Sequence, residues 1–178
     1  MASKSKTKGK TWEREVANFL TKLFNDQFLR VPNSGAFIGG YNVYRTNALS
    51  AEQTRTFKGD IIPGPSFPHL VIECKNYADF PFHKLALNET IRQLDKWISH
   101  ARNSFEINDK WLLCVKITRK AEFVVWNPNH FQISSYIPYK TTNYMEYNTF
   151  WNTNSEYIKS HRKKILLYKF SILLLVPY

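Results

Sequence analysis

Acidic residues are scarce in this 178-residue chain: 14 Asp and Glu stand against 25 Lys and Arg, a formal charge of +11. Such an excess of one sign attracts polyanions, nucleic acid first and an anionic membrane surface second. Cysteine is scarcer still. Cys74 and Cys114 are the only two, each inside an apolar run, and their separation suits neither a zinc site nor a disulfide framework. Both read as buried thiols of a reducing compartment, small fillers of a core. His69, His83, His100, His130 and His161 lack zinc-ligand spacing, and the glycines form no Walker-type or dinucleotide-binding pattern. The apolar run 170–176 is too short to span a bilayer, and residues 1–10 are polar and basic, without the apolar centre of a signal peptide. No Ser-His-Asp or Cys-His hydrolase pattern has comparable support. What is left is one basic, cytoplasmic domain, large enough to bury a core and with no membrane partner.

Residues 57–62 read Phe-Lys-Gly-Asp-Ile-Ile and residues 70–75 read Leu-Val-Ile-Glu-Cys-Lys. Side chains alternate across a strand, so Glu73 and Lys75 share one face while Ile72 and Cys74 take the other. An edge strand with a solvated face would explain such a pair, worth little to stability. The run Leu70-Val71-Ile72 argues instead for a strand buried on both sides. Charge in a buried strand is costly unless it is paired or holds a metal. Asp60, just upstream on a short strand, adds a second carboxylate to the same neighbourhood.

The rest of the chain supplies a frame. Residues 1–10, with Lys4, Lys6, Lys8 and Lys10, read as a flexible basic arm. Trp12, Val16, Phe19, Leu20, Leu23 and Phe24 mark an amphipathic helix from Thr11, the expected N-cap, to about Phe24. On that helix Glu13 falls inside the apolar arc and Arg14 opposite it. A first strand is expected over Phe28–Val31, ended by the turn residues 32–35, then a long loop carrying Arg45 and Arg55. Ile91, Leu94, Ile98, Ala101 and Phe105 predict a second helix capped by Asn88. Trp111–Ile117 and Phe123–Trp126 predict a hairpin of strands. The fold class is therefore α/β, a central mixed sheet flanked by helices. The core spans 11–127. Residues 128–178 form an extension, rich in Tyr and ending in a basic cluster and an apolar segment, expected to pack on the core or on a dimer partner.

Hydrolysis of a phosphodiester needs an activated water, neutralisation of charge at phosphorus and help for the leaving oxygen. Magnesium held by carboxylates with open positions suits all three needs, and manganese is expected to substitute. Asp60 and Glu73 are the expected principal ligands, with the Cys74 carbonyl a third and Glu13 joining directly or through water. Lys75 would orient the nucleophile and stabilise charge.

Gly9-Lys10-Thr11-Trp12-Glu13-Arg14-Glu15, Phe28-Leu29-Arg30, Ser34-Gly35, Gly59-Asp60 and Ile72-Glu73-Cys74-Lys75 together resemble the archaeal-type Holliday junction resolvases of the PD-(D/E)xK nuclease superfamily. The resemblance covers the N-terminal half in the family's order. It implies a restriction-endonuclease-like core, a homodimer, magnesium dependence and paired nicks in branched, four-way DNA. It also places the family's metal and catalytic residues on Glu13, Asp60, Glu73 and Lys75, and contacts near the scissile bond on Arg30 and Ser34. Arg14, Arg45, Arg55 and Lys58 are further candidate DNA contacts. The chain departs from the family in its longer loop between Gly35 and Asp60 and in the residues after Trp126. A restriction-like or repair nuclease acting on duplex or single-stranded DNA would use the same site. A non-catalytic DNA-binding protein with a degenerate nuclease fold fits less well, because three carboxylates facing phosphate would repel DNA unless metal were bound. If a phage encodes the chain, its compartment is the host cytoplasm.

Overall fold

Trp12, Val16 and Leu20 recur every fourth residue and are buried, and the helix they define, α1, runs Lys4–Phe24 in the computed structural model. The structure describes residues 4–32, 44–45, 47–87, 89–103, 108–127, 144–151 and 166–175, the last two segments as backbone alone. The helix begins at Lys4, before the expected cap at Thr11, because unbranched lysines prolong a helix readily. Thr11 Oγ1 instead donates to the Thr7 carbonyl one turn back, at 3.0 Å. The segment expected to be a flexible basic arm is therefore, from Lys4 onward, the first turns of α1. Asn25, with φ 49°, follows the last helical residue, a left-handed stop that Asn tolerates better than most side chains.

Beyond α1 come β1 (Leu29–Arg30), α2 (Ala51–Thr56), β2 (Ile61–Ile62), β3 (Leu70–Tyr77), α3 (Phe82–Ala86), α4 (Arg92–Asn103), β4 (Lys110–Ile117), β5 (Ala121–Trp126), β6 (Tyr144–Trp151) and β7 (Leu166–Leu175). They form one seven-stranded sheet in the order β1-β2-β3-β4-β5-β7-β6. β3 and β4 are parallel over their whole length, the crossover between them carrying α3 and α4, and the other pairings are antiparallel. The expected hairpin exists, with Arg119 at φ 61° in its turn. Strand β7 lies against β5 and strand β6 against β7, so the residues after Trp126 lengthen the core's own sheet. α2 and α3 were not expected, and α4 begins at Arg92, one residue past the start of its apolar stripe at Ile91, while the stripe's far end at Phe105 lies outside the described residues. Asn88, its expected cap, lies outside the described residues.

Two apolar layers follow from strand alternation. Trp12, Val16, Ala17 and Leu20 of α1 pack with Ile61, Ile72, Leu112, Cys114, Val124 and Trp126 on one face. Ile91, just before α4, and Leu94, Trp97, Ile98 and Ala101 of α4 pack with Val71, Trp111, Leu113, Val115 and Phe123 on the other. Each large side chain buried in these layers contributes roughly 1.5–3 kcal/mol. The arrangement is the α/β, restriction-endonuclease-like architecture, a mixed sheet between helical layers. Glu73 and Lys75 share the α4 face of β3 with Val71.

Candidate active site

Gly59 sets the geometry of the site. Its φ is +71°, and a Cβ there would lie 2.6 Å from the Ile72 carbonyl oxygen, so only glycine lets the chain turn this close to β3. The next residue is clamped on three sides. Asp60 N–H donates to the Ile72 carbonyl at 2.8 Å, and its own carbonyl accepts from Val31 N–H at 2.9 Å. Its Oδ2 accepts from Cys74 N–H at 2.8 Å. A side chain thus takes a donor on the edge of β3 that faces β2. Because a strand residue's N–H and C=O point to the same side, the Cys74 carbonyl is carried on this edge too.

Glu73 is a buried carboxylate on a central strand. Lys75 Nζ donates to its Oε2 at 3.1 Å, and His100 Nδ1, from α4, lies 3.5 Å from the same oxygen. Burial alone would push the Glu73 carboxyl up, but the His100 imidazole and the Lys75 charge more than offset it, and the group sits below its ordinary value. Burial would likewise depress the Lys75 ammonium, yet the Glu73 and Asp60 charges outweigh that and raise it. Contact with Glu73 raises His100, the Asp60 charge adding to it and burial and Lys75 opposing. Asp60 therefore acts on both Lys75 and His100, which places the four groups in one electrostatic neighbourhood.

Glu13 comes from the opposite layer. Its Oε2 is paired with Arg30 at 3.1 Å, and both side chains are partly buried. The Cys74 thiol is pushed well up first by burial, then by Cys114 and then by the charges of Asp60 and Glu13. Among the described residues, however, no cluster of three or more potential metal-ligating side chains forms. The sheet separates Glu13 on the α1 side from Glu73 on the α4 side, so the structure does not gather all three carboxylates into one shell.

The remaining expected contacts are dispersed. Arg14 is exposed on α1. Lys58, expected on DNA, has its Nζ 3.1 Å from Asp109 Oδ2, with the two side chains 11% and 1% exposed. Arg45 is half-buried and its guanidinium carbon lies 5.9 Å from the Tyr44 ring centroid. Ser34 and the side chain of Arg55 lie outside the described residues, as do the basic cluster at 161–164 and the aromatic side chains after Trp126. His100 and Asp109 are the residues the sequence reading missed. Trp97, three positions before His100 and about 60° away around the helix, is buried against Tyr77 and Phe80. Adding Trp97 to the apolar stripe would have drawn the buried arc towards His100.

The donor set fits a hard divalent cation. Magnesium is commonly held by one or two carboxylates with water and phosphate in the other positions, and Asp60 with Glu73, beside the Cys74 carbonyl, offers that oxygen set.

A mixed sheet between helical layers, with an aspartate in the turn that enters one strand and Glu-x-Lys on its neighbour, defines a nuclease core of the PD-(D/E)xK type. Residues 4–174 match the family described as "Phage putative PDDEXK endonuclease", and the chain belongs to that family. No curated protein and no solved structure matches it. Membership makes the protein a nuclease of the PD-(D/E)xK superfamily, enzymes that typically use divalent metals. The match supports the PD-(D/E)xK superfamily and does not extend to the archaeal-type junction resolvases that the N-terminal motifs resemble. Among the described residues no helix is long and apolar enough to cross a membrane.

Proposed function

We propose that this nuclease is a magnesium-dependent, structure-selective DNA endonuclease that nicks four-way junctions as a homodimer, with manganese able to replace magnesium. The observation that carries the reading is the joining of Asp60 to the edge of β3 beside Glu73 and Lys75, through the 2.8 Å bond to Cys74 N–H. Asp60, Glu73 and the Cys74 carbonyl would hold the metal, and Glu13 would act through water from the α1 layer. When bound, the metal supplies charge neutralisation at the phosphate and a more acidic water. Lys75, kept charged by its carboxylate neighbours, would orient the attacking water and stabilise charge developing on the phosphate oxygens. Arg30, held by Glu13, and Ser34 would steady the strand next to the scissile bond. Two symmetric nicks require two such sites at a fixed separation, hence the dimer.

A second reading, a nuclease acting on duplex or single-stranded DNA, is favoured by the strands β6 and β7 that extend the sheet beyond the portion resembling resolvases. Labelled four-way junctions, flaps, matched duplex and single strands, each incubated with magnesium or chelator, separate the two. Magnesium-dependent nicking confined to junctions is expected. Equal cutting of matched duplex would sink the junction assignment, and binding without cutting would sink both.

A further inference from the structure

We infer that His100 is a substrate-contacting residue of this site, its imidazole donating a hydrogen bond to a non-bridging oxygen of the phosphate being cleaved. The inference rests on the nuclease reading above and goes beyond it, since neither the Glu-x-Lys motif nor the resemblance assigns α4 any part in the chemistry.

Position is the first argument. Trp97 anchors α4 on β3: its ring lies 4.8 Å from that of Tyr77 and stacks at 5.7 Å on Phe80. Leu94, Ile98 and Ala101 are completely buried beside it. The register of the helix is therefore fixed, and it holds His100 over Glu73 at 3.5 Å.

Exposure is the second. The Glu73 side chain is 5% exposed and that of His100 is 63%. A phosphate approaching the two carboxylates from solvent meets the imidazole at the rim of the site. Glu73 is already served by Lys75 at 3.1 Å, so a mostly solvated imidazole adds little stability there. A ring with one nitrogen towards Glu73 carries the other on its far edge.

Chemistry is the third. Asp60 and Glu73 repel a phosphodiester, so donors beside them have the largest effect on its approach and on the charge it gains in the transition state. The nitrogen that would donate is the one on the far edge from Glu73, and an N–H there is present in the imidazolium and in one of the two neutral tautomers.

The test is single-turnover cleavage, with enzyme in excess over labelled DNA and magnesium saturating, for wild type, His100→Ala, His100→Gln and Lys75→Ala. DNA affinity in calcium and the unfolding midpoint are measured alongside. His100→Ala is expected to cut about 100-fold more slowly, the usual effect of removing one transition-state donor, with DNA affinity and midpoint close to wild type. His100→Gln, which keeps an N–H donor at similar reach, should recover most of the rate. Further magnesium should not restore His100→Ala. Wild-type cutting by His100→Ala, or a slowdown that extra magnesium abolishes, overturns the inference, the latter because the histidine would then act only through Glu73. A loss of rate matched by a loss of affinity overturns it as well. If wild type itself cuts nothing, the nuclease reading fails and takes this inference with it; if wild type cuts, Lys75→Ala does not and His100→Ala equals wild type, only this inference fails.

Discussion

Two lysine–carboxylate pairs in this protein have the same length, 3.1 Å, and opposite meanings. Lys58 and Asp109 tie the segment before Asp60 to the start of β4, both nearly sealed from solvent. Lys75 and Glu73 sit on β3 with Asp60 and His100 acting on them and a strand edge beside them. A buried ion pair is thus no mark of function by itself. What separates the two is the company: the first pair has exposed His69 3.7 Å from Asp109, whereas the second concentrates two carboxylates, an ammonium and an imidazole beside a backbone carbonyl.

The sharpest division between the pairs lies in what their loss does. Lys75→Ala should slow cleavage by roughly 100- to 1,000-fold while the unfolding midpoint moves little, because Glu73 keeps His100. Rate assays beside thermal melts check this, and a variant that unfolds without a specific loss of rate would erase the distinction. Lys58→Met should do the reverse. Removing the lysine from the buried Asp109 carboxylate costs about 3–5 kcal/mol, read by denaturant unfolding. Replacing both partners, Lys58→Met with Asp109→Leu, should recover most of that stability, and failure to recover would show that the pair does more than tie the chain.

Gly59→Ala touches both regions through the turn between Lys58 and Asp60. Its φ of +71° and the 2.6 Å approach to the Ile72 carbonyl predict a loss of about 1–3 kcal/mol together with slower cleavage, as Asp60 is displaced. Full activity in a folded Gly59→Ala protein would argue that Asp60 is not placed by this turn.

The smallest effect concerns pH. His100 is raised in the folded protein and Glu73 is lowered. The histidine's contribution to stability is fully present below its unfolded value of about 6.5 and is lost as pH rises through its higher folded value; that of Glu73 is present above its unfolded value and lost as pH falls through its lower folded one. Metal-free wild type should therefore exceed His100→Ala in stability most clearly near pH 6 and converge with it above the folded value of His100. The difference is small, because the imidazole is largely solvated. A gap that widens as pH rises would reverse the assignment.

The sequence carried the strands well and the helix ends poorly. β3, β4 and β5 were readable because apolar runs between turn residues have few alternative folds. Glu73 and Lys75 were readable because charge in such a run demands a reason. The start of α1 was misplaced because apolar periodicity begins only at Trp12, while the lysines before it extend the helix without leaving a periodic trace. Glu13 was correctly turned towards the protein, but helical angle alone cannot say which face of the sheet a helix covers. Asp109 carried no signal in the sequence, because its pairing depends on Lys58 meeting it from a distant part of the chain. His100 fell outside an apolar stripe drawn without Trp97.

The central claim is that the carboxylates of Asp60 and Glu73 serve metal-dependent phosphodiester cleavage. Its most direct measurement is magnesium-started cleavage of a labelled four-way DNA junction by wild type and Glu73→Gln, side by side. Wild type should nick the junction only after magnesium is added, and the variant should fail to nick it while still folded. Nicking in chelator, or nicking by Glu73→Gln at the wild-type rate, would contradict the account.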